Sequence, residues 1–88
     1  MRNINVMIDK ITIQTEVDAR NTRCPIPLLR AKQALKTMQL GEYLRLEATD
    51  PSAKADFDAM LKHLPHELVE YSKGDGIPRV DVFVIRKG

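Results

Sequence analysis

The residues that could do chemistry converge on one sulfur atom. Cys24 is the only cysteine of this 88-residue chain, and it stands in Cys24-Pro25-Ile26-Pro27, directly before an amphipathic helical pattern. A helix N-terminus carries unpaired backbone N–H groups and the positive end of the macrodipole, and both favour negative charge. With Cys24 as the N-cap, Pro25 becomes the first helical residue and Pro27 the third, where a missing N–H interrupts no intrahelical bond. Arg20 and Arg23 lie just upstream and push the thiol pKa in the same direction. The expectation is a lowered thiol pKa and a sulfur that is nucleophilic near neutral pH. A lone free cysteine is ordinarily inert core. A core cysteine belongs inside a hydrophobic periodicity, however, whereas Thr22-Arg23-Cys24-Pro25 reads as an exposed turn entering a helix.

The position three residues beyond the thiol is Pro27, so no Cys-x-x-Cys pair can close its own disulfide. Chemistry begun at Cys24 must be completed by another molecule. The simplest one-cysteine cycle is a thiolate that accepts a group and surrenders it to a second protein's thiol, and sulfane sulfur held as a persulfide fits that cycle. Other chemistries find less support. His63 and His66 with a single distant cysteine make no metal-ligand spacing. Gly74-Asp75-Gly76 reads as a hairpin turn rather than a phosphate loop. A Cys–His protease site would need a cleft and an oxyanion hole for which so short a chain has little room.

Length and composition set the frame around that sulfur. At 88 residues, 43% hydrophobic and 30% charged, the chain makes one ordinary domain. A net charge of +2, with two Phe and two Tyr, does not argue for nucleic acid, and no stretch is apolar enough to span a membrane. Met1 to Lys10 lacks the unbroken apolar core of a signal peptide, and one cysteine builds no disulfide framework. The expected location is the cytoplasm, where a free thiol survives.

The elements that must hold the cysteine follow from periodicity. Residues 1–10 read as an N-terminal lead that frays, and 11–88 as a single domain. Ile11, Ile13, Thr15 and Val17 alternate with polar residues, as in a half-buried strand, and Asp18 to Arg23 forms the loop to the cysteine. From Pro25, Leu28, Ala31, Leu35 and Met38 recur at helical steps up to a C-terminal cap at Gly41. Arg30, Lys32 and Lys36 give that helix a basic side, which is either a solvated face or a docking face for an acidic partner. Leu44, Leu46 and Ala48 mark a second strand. Asp50 then caps a second helix with Pro51 as its first residue, carrying Ala53, Phe57, Met60, Leu61 and Leu64 inward until Pro65. Leu68 to Lys73 and Arg79 to Ile85 read as two further strands, with Val80, Val82 and Val84 facing the core and Phe83 and Ile85 the open side; the intervening glycines supply positive φ. The order β-α-β-α-β-β predicts an α+β two-layer sandwich, a four-stranded mixed sheet with both helices packed on one face.

Asp18-x-Arg20, Cys24-Pro25-Ile26-Pro27-Leu28-Leu29, Lys32, Leu35, Gly41, Thr49-Asp50-Pro51 and Asp56 together resemble the TusA (SirA-like) sulfur-carrier family, from about Ile11 to Ile85-Arg86-Lys87. The resemblance implies this two-layer fold and a persulfide carried on Cys24. It implies loading by a cysteine desulfurase or a rhodanese-like donor, and relay to an acceptor sulfur-relay protein. Destinations in the family include 2-thiouridine formation in tRNA, molybdenum-cofactor biosynthesis and sulfur oxidation. Such a protein is a sulfurtransferase-type carrier rather than a stand-alone turnover enzyme, monomeric, without cofactor or metal, and without direct nucleic-acid or membrane contact. By the same match Asp18, Arg20, Pro25 and Pro27 shape the site, with Arg23 added for its charge, while Asp50 and Asp56 are structural parts of the second helix. Many members have glycine where this chain has Asn21, a residue that tolerates left-handed φ. Two alternatives stand beside the carrier. One is an RNA-binding or regulatory module that uses the basic helix face; the other is a thiol redox sensor in which Cys24 is oxidised rather than loaded.

Overall fold

Residues 12–88 are described by a computed structural model, and the lead expected over residues 1–10 lies outside the described residues. Apolar residues at every second position build β1 (Ile13–Ala19), in which Ile13, Thr15, Val17 and Ala19 turn inward while Gln14, Glu16 and Asp18 are exposed. Helix α1 (Ile26–Thr37) follows and buries Pro27, Ala31 and Leu35 on one stripe. After β2 (Tyr43–Ala48) comes α2 (Ala53–Leu61), and then β3 (Glu67–Ser72) and β4 (Asp81–Arg86). The sheet order is β1-β2-β4-β3, with β1 and β2 parallel and the other two pairs antiparallel. This is the mixed four-stranded α+β sandwich expected from the element order.

One core lies between sheet and helices. Ala31, Leu35 and Met38 from the first helical segment and Ala53 and Phe57 from α2 close over Leu44, Leu46, Phe83 and Ile85. The Phe57 and Phe83 rings lie 4.8 Å apart and those of Tyr71 and Phe83 5.1 Å apart, within the range of favourable aromatic pairing. The facing of β4 is the reverse of the sequence expectation: Phe83 and Ile85 are fully buried under the helices, and Val82 and Val84 lie on the open side. Register decides it. Phe83 pairs with Leu46 and Ile85 with Leu44, and directly opposed residues share a face. The alternation in a strand that is apolar on both sides says which residues go together, not which set faces in. Charges cover the open face instead of leaving it sticky, with Arg45 2.9 Å from Glu47 and Arg86 2.9 Å from Glu67.

The loop between β3 and β4 also departs from expectation. Among glycines, the positive φ belongs to Gly41 (86°), in the turn after α1; Gly74 is needed instead for close approach, because a Cβ there would lie 2.1 Å from the Val80 carbonyl oxygen. Asp81 anchors this loop. It is 1% exposed and accepts from Tyr71 Oη, the Gly74 N–H and Arg79, each at 3.0 Å.

Candidate functional site

Parallel strands deliver their chains to the same edge of a sheet, and here Ala19 and Ala48, the last residues of β1 and β2, are register partners. The loops entering the two helices therefore leave side by side, and hydrogen bonds join them. The Asn21 N–H donates to Thr49 Oγ1 at 2.9 Å, and the Cys24 N–H to Asp50 Oδ2 at 2.6 Å. Asn21 holds φ at 62°, the left-handed value its loop position requires. Asp50 Oδ1 in turn accepts from the Ser52 N–H at 3.0 Å, so one carboxylate ties the start of α2 to the cysteine backbone. These backbone donors, first Ser52 and then Cys24, hold the Asp50 carboxyl below its ordinary pKa, and Arg23 adds to the effect.

The first helical residue of α1 is Ile26, so Cys24 lies one residue before the N-cap, not on it. Pro25 is the cap, joined to Cys24 through a cis peptide bond, and Pro27 is the second helical residue with its ring buried. Likewise α2 begins at Ala53, two residues after Pro51. The cysteine side chain is exposed on an open cleft of about 600 Å³ lined by Asn21, Thr22, Arg23, Thr49, Asp50 and Pro51.

The charge environment corrects the expected lowered thiol pKa. The carboxylates of Asp56, foremost, and of Asp50 push the Cys24 thiol above its ordinary value. Of the two arginines expected to oppose this, Arg20 is occupied elsewhere. Arg20 forks onto Asp18, Nε to Oδ1 at 2.9 Å and Nη2 to Oδ2 at 3.1 Å, and lies 3.6 Å from Glu47. Those bonds lower the Asp18 pKa to about 2 and place both residues over a separate cleft with Glu16, Arg45 and Glu47. Arg23 shares the cysteine's cleft, but its charge falls on Asp50. Asp18 still connects to α1, because its carbonyl accepts from Arg30 Nη1 at 2.6 Å.

Of the residues expected to shape the site, Arg23 and Pro25 border the thiol, Pro27 supports it from the core, and Asp18 and Arg20 stand on the neighbouring open sheet face. Asp50 holds the cysteine's backbone N–H and Asp56 joins it through Ser52 Oγ, although their expected duties were only those of a helix start. The sole signal was Thr49-Asp50-Pro51 with Asp56 one turn into the helix, and capping explains that spacing equally well.

A second cleft, of about 420 Å³, runs between α1 and the segment after α2. Leu29, Leu35 and Leu64 form its apolar wall, and Lys32, Lys36, His66 and Lys87 surround it. Lys87 Nζ donates to the Leu35 carbonyl and, at 3.1 Å, to that of Met38, neutralising the negative end of α1. Burial, together with the Lys87 charge, pushes the His66 pKa down. Among the described residues no group of His, Cys, Asp and Glu is arranged to hold a metal ion, and no helix is long and apolar enough to cross a membrane.

Replacing Asp50 with alanine is expected to lower stability by about 1 kcal/mol, the usual worth of a side chain serving helix-start N–H groups. A carboxyl with a lowered folded-state pKa contributes stability above its unfolded pKa and loses it as pH falls through the folded value. The acid-side decline in urea midpoint should therefore be shallower in Asp50→Asn than in wild type.

A fold of this topology, presenting one exposed thiol from the edge where two parallel strands end, defines a single-cysteine carrier domain. The family described as Sulfurtransferase TusA matches residues 15–87. The sulfur carrier protein TusA of Allochromatium vinosum is 48% identical over 61 residues, covering 69% of this chain and 79% of that protein. A putative sulfur carrier protein of Archaeoglobus fulgidus is 36% identical over 73 residues, covering 82% and 95%. Among solved structures, a SirA-like protein from Desulfitobacterium hafniense superposes with a TM-score of 0.69 at 25% identity, covering 85% of this chain and 99% of that one. The chain belongs to the TusA family of sulfur carriers.

Proposed function

We propose that this protein carries sulfane sulfur as a persulfide on Cys24, between a cysteine desulfurase or rhodanese-like donor and an acceptor thiol protein. The observation that carries the reading is the placement of the chain's one thiol, exposed on a cleft and fixed through its own backbone N–H to Asp50. In loading, the Cys24 thiolate attacks the outer sulfur of the donor persulfide. A bond forms from Sγ to that sulfur, the donor S–S bond breaks, and its electron pair leaves on the donor sulfur, which takes up the proton Cys24 gave away. No oxidant is consumed, because the sulfane sulfur moves without changing oxidation state. An acceptor thiolate repeats the exchange on Cys24, and the acceptor's identity sets the pathway served.

The exposed thiol admits a partner's sulfur without a lid. The cleft beside Leu29 and Leu64, with Lys32 and Lys36 on its rim, suits an acidic partner that shows one apolar side chain. Intact mass spectrometry under non-reducing conditions, after incubation with a cysteine desulfurase and free cysteine, is expected to show a gain of about 32 Da that reduction removes. Absence of that gain with both a desulfurase and a rhodanese-type donor would overturn the reading.

A further inference from the structure

Three loops leave the sheet at the thiol's edge. Ala19 pairs in register with Ala48, and Ala48 with Asp81, so the ends of β1 and β2 and the start of β4 span about 10 Å of edge at the usual strand spacing. The β3–β4 loop therefore opens beside the loops that carry Cys24 and Asp50. Side chains join it to them: Lys54, in the first turn of α2, lies 5.3 Å from the centroid of the Tyr71 ring, and Tyr71 Oη donates to Asp81. At the tip of this loop stands Ile77, fully exposed between Gly76 and Pro78.

A single exposed apolar side chain is ordinary on a protein surface. Ile77 differs in how it is held and in what accompanies it. The two feet of its loop are pinned together, Gly74 packed against Val80 and both the Gly74 N–H and Arg79 bonded to Asp81, so the tip is held out in solvent. Following the thiol on α1, Ile26 is 38% exposed and Leu29, three residues on and on the same side of the helix, is 48% exposed. Leu29 carries that apolar surface into the cleft walled by Leu64. The charges around this edge are largely spent within the chain, Arg79 on Asp81, Lys54 on Asp58 and Arg20 on Asp18, while Arg23 adds one cation inside the cysteine's cleft.

We propose that Ile77 and Ile26 are two apolar anchors of the docking face over Cys24, and that its occupant is a sulfur-donor protein whose persulfide-bearing loop is bordered by apolar side chains. The proposal deepens the carrier reading and rests on it: an exposed thiol meets a donor's sulfur in line only if the donor's loop is held, and anchors on two loops of one edge fix that approach. Burying these side chains in the docked pair is the largest apolar gain this edge has to offer.

The test measures the loading of Cys24 by intact mass against carrier concentration, with a cysteine desulfurase as donor and, in parallel, with glutathione persulfide, which needs no docking. Ile77→Ser is expected to raise the KM for the carrier about tenfold at little change in kcat, as the loss of one apolar anchor predicts. Loading from glutathione persulfide and the urea midpoint should stay near wild type, and Ile77→Leu should keep the wild-type KM, which a purely positional role of the loop would not require. Ile26→Ser should act in the same direction as Ile77→Ser. A KM in Ile77→Ser within about twofold of wild type overturns the proposal, and so does an equal loss of loading from glutathione persulfide, which would put the damage at the thiol. A wild-type chain that gains no sulfur from either source removes the carrier reading and the docking face with it, whereas a chain loaded by both with an unmoved KM removes the docking face alone.

Discussion

Cys24→Ser is expected to take up no sulfur from any donor while unfolding within about 0.5 kcal/mol of wild type, the range for an exposed side chain outside the core. The two halves of that expectation come from different atoms. The link that organises the site runs from the Cys24 backbone N–H to Asp50, and serine keeps it. The lost function belongs to the sulfur alone, since a serine hydroxyl near neutral pH is neither ionised nor activated by a neighbouring base. Intact mass after incubation with desulfurase and cysteine, paired with a urea titration, checks both halves. Sulfur retained by the serine variant would place the carrier group elsewhere, whereas a large drop in stability would show that the thiol is packing and not presenting.

What the sequence made legible is what depends on local pattern. β1 alternates cleanly because one side meets the helices and the other meets solvent, and α1 shows its buried stripe because its other faces are charged. The orientation of β4 was not legible, because Val82 and Val84 on one side and Phe83 and Ile85 on the other are equally apolar; pairing with Leu44 and Leu46 settles it. The thiol's environment failed for a related reason. Arg20 is close to Cys24 in sequence, but a guanidinium pairs with whatever carboxylate the fold brings near, here Asp18 and Glu47. Asp50 is 26 positions away in the chain and reaches the cysteine only because parallel β1 and β2 release their helices at one edge. Local charge counting therefore gave the wrong sign for a site assembled by a long-range crossover.

Asp81→Ala is expected to cost about 3–5 kcal/mol, far more than any change at the exposed cleft, because it removes the charge that satisfies several groups around a buried position. Asp81 is 1% exposed, and no buried side-chain polar atom among the described residues lacks a hydrogen-bond partner. Alanine would leave the Arg79 guanidinium, the Tyr71 hydroxyl and the Gly74 N–H without their acceptor. In a domain of this size even the lower figure corresponds to a fall in Tm of roughly 12–24 °C. A second readout isolates the cause. Burial and then the hydrogen bond to Asp81 push the Tyr71 phenol above its ordinary pKa, so loss of Asp81 should move its ultraviolet titration downward without restoring a fully exposed value. The damage should also reach the sulfur site, because Asp81 pairs in register with Ala48, the residue from which the chain leaves toward Thr49 and Asp50. In the folded fraction of this variant, Cys24 should be alkylated faster than in wild type, as the cradle under the cysteine loosens. A variant whose stability stays within about 1 kcal/mol of wild type would mean that water reaches Arg79 and Tyr71 readily. In that event the β3–β4 loop would not be what stiffens this edge of the sheet.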